Sequence, residues 1–201
     1  MSKRRDTIER RCPKCSINRA MCFCDSLTKV ETLNRVSLIF HVKEYFLTSN
    51  TGKIANLVLT NSSHAIRGLK DEPISEDYTV GGKYTPYYLY PSEGAVVLDD
   101  TFLDSQTKPI NLIVPDATWR QSKKFHKREP VLRGIPHLKL NGQHKSIYEL
   151  RKQKFSEGVC TIEAIAYALI GLNEKSSGEE LLRILKIMND KVMETRTHQG
   201  H

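Results

Sequence analysis

The chain has no apolar run approaching the roughly 18 residues of a membrane span, and its basic start, MSKRRDTIERR, leads into cysteines rather than the apolar core of a signal peptide. Those absences speak against a spanning or secreted protein and imply a cytoplasmic one with no membrane partner. The segment NTGK at 50–53 lacks the leading glycine of a P-loop and carries Ile54 where Ser or Thr should follow Lys, so nucleoside triphosphate binding has no support. The seven histidines show no HExxH or comparable metal spacing, and no Ser-His-Asp assembly is legible. There is no internal repeat and no low-complexity segment, and nothing marks an obligate protein partner. Tryptophan occurs once, at Trp119.

What is present points to one main domain with a small appendage: 201 residues, 39% of them hydrophobic, suffice for a full core. Lys and Arg outnumber Asp and Glu by 31 to 23, a net charge of +8, which favours a polyanionic partner, nucleic acid first.

Four of the five cysteines, Cys12, Cys15, Cys22 and Cys24, fall in the short stretch CPKCSINRAMCFC. In a reducing compartment this spacing argues for thiolate ligands, and four thiolates satisfy a tetrahedral Zn²⁺ with no open position, as a structural site. An iron–sulfur cluster and four unligated thiols are the alternatives. Residues 1–30 are therefore expected to form a basic segment with a four-cysteine knuckle, and 31–201 the main domain.

Past the knuckle, apolar strands alternate with helices. Strands are predicted over 35–42, 64–69, 95–100, 110–116 and 137–140, and helices over 49–61, 118–129, 161–172 and a final stretch carrying the stripe Leu181, Ile184, Leu185, Met188 and Val192. Residues 70–83 are expected as a loop, followed by YTPYYLYPSEG. Short apolar strands separated by helices indicate an α/β fold with a mainly parallel sheet, whose ligand crevice lies beyond the carboxyl ends of the strands.

That rule puts LYPSEG (89–94), VPDATW (114–119) and SEGVCTIEA (156–164) on the functional rim. Asp116 could be merely the cap of the following helix, but a core-anchored Trp119 would hold the acid rigidly. Thr161 is a plausible N-cap for the next helix, and Glu163 suits its first turn. Cys160 is expected as a small buried thiol. After Trp119, the residues Lys123, Lys124, Lys127 and Arg128 share one face, along which a phosphate backbone could run; a solvated surface is the alternative. Arg4, Arg5, Arg11, Lys14, Lys53 and Arg151 join them as expected RNA contacts, a spread that suits a large structured RNA.

Together these blocks resemble the DTW-domain family. DATW is similar to its naming signature, CPKCSINRAMCFC to its four-cysteine segment, HVKEYFLTSNTGKIANLVL to its His-x-x-Glu and Asn-Thr-Gly block, LYPSEGA to its Leu-aromatic-Pro loop and YELRKQKFSEGVCTIEAIAYAL to its closing block. The matches run in order from Cys12 to about Leu169, with Val42, Lys53, Glu149 and Cys160 departing from the family's usual residues. The resemblance implies a SPOUT-like α/β fold with a knotted, cofactor-binding part of the sheet. It also implies transfer of the 3-amino-3-carboxypropyl group of S-adenosylmethionine to N3 of a tRNA uridine, with 5′-methylthioadenosine released.

In that frame Asp116 is the candidate general base, or an orienter of the cofactor's α-ammonium. The cofactor would be bound by Leu89, Pro91 and Ser92, by Asp116, Thr118 and Trp119, and by Cys160, Thr161 and Glu163, with backbone N–H groups at 161–164 on the methionyl carboxylate and Trp119 anchoring its loop from behind. An RNA methyltransferase of the same fold and a non-catalytic zinc-containing RNA-binding protein are the rival readings.

Overall fold

The computed structural model describes residues 10–48, 50–68, 74, 82–148 and 158–198. Six strands form one sheet: β1 (Arg35–His41), β2 (Ser62–Arg67), β3 (Thr85–Leu89), β4 (Val96–Leu98), β5 (Ile110–Asp116) and β6 (His137–Leu140). Their spatial order is β2-β1-β5-β3-β6-β4, and every neighbouring pair is parallel. Helices are α1 (Val42–Tyr45), α2 (Thr51–Val58), α3 (Asp100–Asp104), α4 (Trp119–Arg128), α5 (Thr161–Gly171) and α6 (Lys175–His198). Among the described residues no helix is long and apolar enough to cross a membrane.

A parallel sheet needs cover on both faces, and alternation along β1 and β5 divides the side chains between them. Val36, Leu38 and Phe40 of β1 with Leu112 and Val114 of β5 pack with Ile54, Ala55 and Val58 of α2 and with the apolar stripes of α5 and α6. Ile39, Ile113 and Tyr88 face the other way, onto Phe125 of α4 and Leu132. Cys12, Cys15, Ile17 and Phe23 belong to the first of these clusters, so the cysteine segment shares the main core.

The mainly parallel α/β architecture expected from the sequence is the one observed. Boundaries shift by the usual margin: β2 begins at Ser62 rather than at 64, and α2 is shorter than the 49–61 span. β3, inside YTPYYLYPSEG, went unassigned because Pro86 and Pro91 obscure a short strand, yet it sits in the sheet's interior between β5 and β6. α3 was also missed, although the Asp99 side chain caps it by accepting from the Phe102 N–H at 2.9 Å.

Candidate functional site

Asp116 is the last residue of β5, opposite Phe40 of β1, and only 5% exposed. It is not the helix cap. Thr118 takes that role in a capping box, where Gln121 Oε1 accepts from the Thr118 N–H at 2.9 Å and Thr118 Oγ1 accepts from the Gln121 N–H at 3.4 Å. Asp116 turns instead toward the first turn of α2. A Cβ built on Gly52 would run into Asp116 Oδ2 and stand 2.9 Å from Phe40 and 3.1 Å from Leu38. Glycine lets the α2 backbone come up against the carboxylate.

The preceding residue reaches the other way: Thr51 Oγ1 accepts from the Ile162 N–H of α5 at 3.4 Å. One turn of chain thus touches both Asp116 and the head of α5. The positive ends of two helices meet beside a buried acid, an arrangement that favours anionic groups at the helix ends and cationic ones at the carboxylate.

At the head of α5 the N-cap is Cys160, not Thr161. Glu163 reaches back to accept from the Cys160 N–H at 2.6 Å, and also from the Ile147 N–H at 2.6 Å and from Ser146 Oγ at 2.8 Å. Fully buried, this carboxylate pins residues 146–147 after β6 onto α5. The Ala164 N–H already serves the helix by donating to Cys160 O, which leaves fewer donors at 161–164 for a ligand than the sequence suggested. Burial, then the Glu163 charge, pushes the Cys160 thiol well above its ordinary value.

Residues 89–94 lie on the same rim. Leu89 ends β3, the Tyr90 N–H donates to Leu138 O at 2.9 Å, and Ser92 Oγ is hydrogen-bonded to His137 Nδ1, while Pro91 is exposed. Trp119 departs from its expected anchoring role: it is 50% exposed and meets Tyr90 edge-on, ring centroids 5.7 Å apart. Ser122 and Phe125 of the same helix are the buried residues that fix α4 to the sheet. As first residue of the helix, Trp119 points along the rim rather than into the core.

Lys53 is turned inward. Its Nζ donates to Tyr45 O at 2.8 Å and to Ser16 Oγ at 3.1 Å, and lies 4.7 Å from the Tyr45 ring centre. Burial and then Arg11 lower its pKa, with Cys15 and Asp116 pulling the other way. It ties the knuckle turn at Ser16, a left-handed residue with φ of 61°, to the helix that carries Gly52.

The four knuckle sulfurs all lie within 4.8 Å of one another, with Cys12 to Cys24 at 3.7 Å and Cys15 to Cys22 at 3.9 Å. Zinc–sulfur bonds of about 2.3 Å in a tetrahedron give sulfur–sulfur edges of about 3.8 Å, so the donor set fits a four-thiolate metal ion. Burial works against the Cys12 thiolate, but the Cys15 and Lys14 backbone N–H groups bring its pKa down to about 6. Burial pushes Cys15 up to about 11.

The exposed side of α4 carries Arg120, Lys123, Lys124, Lys127 and Arg128, which together with Arg133 line a cavity of about 530 Å³. Among the described residues none of the six pairs with an acid. The nearby acid, Glu129, is engaged by Arg67 of β2. Arg120–Lys124, Lys123–Lys127 and Lys124–Arg128 are like-charge pairs at i,i+4, each costing about 0.2–0.5 kcal/mol. Arg120 and Arg133 escaped the sequence reading: the first sits a turn earlier than the basic run, and the second joins it only through the fold. Arg11 donates to Phe46 O at 3.4 Å and Lys14 is exposed, whereas Arg4, Arg5 and Arg151 lie outside the described residues.

An all-parallel α/β sheet with a buried acid and two helix N-termini at its carboxyl edge, joined to a cluster of four cysteines that could hold a metal ion, defines the class of protein. Residues 9–193 match the DTW domain, and the chain belongs to that family. It is 27% identical over 183 residues to tRNA-uridine aminocarboxypropyltransferase 2 of Macaca fascicularis, covering 88% of this chain and 61% of the relative. To tRNA-uridine aminocarboxypropyltransferase A of Arabidopsis thaliana it is 29% identical over 226 residues, covering 96% and 84%. The chain thus spans about three fifths of the length of the macaque relative. The fold is similar to that of the SAM-dependent rRNA:acp-transferase Tsr3 from Vulcanisaeta distributa, with a TM-score of 0.52 at 17% identity, over 83% of this chain and 81% of that one.

Proposed function

We propose that this protein transfers the 3-amino-3-carboxypropyl group of S-adenosylmethionine to N3 of a uridine in tRNA. Asp116 carries the proposal: a buried carboxylate at the carboxyl end of a central strand, against Gly52 and beside the heads of α2 and α5. The names of the similar proteins supply the reaction class.

When bound, S-adenosylmethionine supplies an activated methylene on a sulfonium whose leaving group is neutral methylthioadenosine. The residues around Asp116 suit such a ligand, since helix ends favour its carboxylate and an acid favours its cationic groups. The N3–carbon bond forms as the carbon–sulfur bond breaks, and the N3 proton passes to Asp116, a contribution of about 10²–10⁴-fold. Gly52 fixes how far Asp116 can swing, and Glu163 fixes residues 146–147 on α5. Leu89, Pro91, Ser92, Thr118 and Trp119 lie along the rim where the adenosine would be enclosed, with Cys160 and Thr161 at the methionyl end. Because three carbons on the sulfonium are activated, placement of the uridine decides which one moves. The four cysteines would hold a structural Zn²⁺.

The test is incubation with carboxyl-labelled S-adenosylmethionine and an unmodified tRNA transcript, followed by nucleoside mass analysis. Label in a modified uridine, with methylthioadenosine released, is expected. A methylated nucleoside with S-adenosylhomocysteine, or no product at all, would refute the proposal.

A further inference from the structure

We infer that the cavity on α4 is a cradle for the RNA phosphodiester backbone, built by Arg120, Lys123, Lys124, Lys127 and Arg128 with Arg133 from beyond the turn at Pro130–Leu132. It deepens the RNA half of the function proposed above by assigning the surface along which the nucleic acid lies.

Folding alone gives no account of this surface. Cations in the last turn of a helix are favoured by the helix dipole, which covers Lys127 and Arg128. Arg120 stands in the first turn, where the dipole opposes it, and Arg133 is not on the helix. Three like-charge pairs strain α4 further, and among the described residues no acid offsets them. Six uncompensated charges in one concavity are to be set against a net charge of +8 for the whole chain.

The chemistry selects the partner. The lining holds no apolar side chain to enter a lipid surface, and its guanidinium groups suit the paired oxygens of phosphate. Ten residues of helix extend the row about 15 Å away from the end of β5. The backbone of a bound RNA would run down α4 while the reacting base stays at the rim with Asp116.

The experiment measures filter binding of an unmodified tRNA transcript without S-adenosylmethionine, from about 50 to 200 mM salt, so that the outcome is independent of transfer. Lys123→Glu/Lys124→Glu and Arg120→Glu/Arg133→Glu should each lose at least tenfold in affinity at low salt, with a salt slope shallower by about two. Lys175→Glu/Lys191→Glu, on exposed α6 positions, makes the same change in net charge and should lose less than about twofold. The cradle variants should melt no lower than the parent because like-charge repulsion is relieved or reversed within α4; if one melts lower, Lys123→Gln/Lys124→Gln repeats the measurement with no acid added. Cradle variants that bind like the α6 control would overturn the assignment. So would polyglutamate displacing the tRNA as readily, charge for charge, as a second RNA does. Cradle-dependent binding without any transfer would refute the proposed reaction and leave the cradle standing.

Discussion

Gly52 and Asp116 touch, so closely that the first turn of α2 leaves no room for a β-carbon beside the carboxylate at the end of β5. Because Gly52 has no side chain, the backbone of α2 itself lies against the acid. Its position is therefore a property of how α2 packs on β1 and β5.

Gly52→Ala drives a methyl group into Asp116, Phe40 and Leu38. Overpacking of this kind costs about 1–3 kcal/mol. Calorimetry should show a lower Tm, and transfer should fall further than stability because the acid is displaced. A variant with the parent's melting curve and turnover would mean that the two segments do not press on each other in solution.

Asp116→Asn keeps the shape and removes the proton acceptor. Transfer should fall by about 10²–10⁴-fold while circular dichroism, Tm and tRNA binding stay near those of the parent. If turnover survives but S-adenosylmethionine binds weakly, Asp116 orients the cofactor rather than taking the proton.

Purified protein should carry one metal ion per chain by elemental analysis. Cys22→Ser, which removes one of four sulfurs, should lower bound metal and Tm together, since Cys12, Cys15, Ile17 and Phe23 lie in the main core. Parent protein with no stoichiometric metal would count against the knuckle.

Glu163→Gln replaces one of the two acceptor oxygens by a donor, which then faces the N–H of either Cys160 or Ile147. Hydrogen bonds to a charged group contribute about 1.5–3 kcal/mol each, so the variant should unfold at clearly lower denaturant. Ser146→Ala leaves the two backbone donors in place and should cost about 1 kcal/mol. Equal losses from both would mean that Glu163 does not staple the loop.

Burial and the Glu163 charge raise the Cys160 pKa, so at any pH below the folded value its thiolate is scarcer than that of a free thiol. At pH 8, site-resolved mass spectrometry should show Cys160 alkylated at least tenfold more slowly in the folded protein than in urea. Equal rates would mean an open helix head.

Much of the site was legible because its signals are local. The four-cysteine spacing, the strand ending at Asp116 and the basic run of α4 each lie within about a dozen residues, where turn geometry and helical periodicity act directly. Trp119 misled for a related reason: a lone Trp beside an apolar strand suggests a core anchor, but the first turn of α4 leaves it 50% exposed while Phe125 does the anchoring. Thr161 misled by one position, because Cys160 is a poor-looking cap that works through Glu163.

The sequence by itself determined most of the elements, their alternation and the clustering of four cysteines, because hydrophobic period and cysteine spacing are short-range properties. Tertiary structure decided the rest. The order β2-β1-β5-β3-β6-β4 brings α2 and α5, 110 positions apart at Thr51 and Thr161, to the same carboxyl edge. It set Gly52 against Asp116, turned Lys53 from the expected RNA surface to Ser16, and carried Arg133 to the basic face of α4. Contacts between distant segments depend on which side chains fill both faces of one sheet at once, and no local window contains that information.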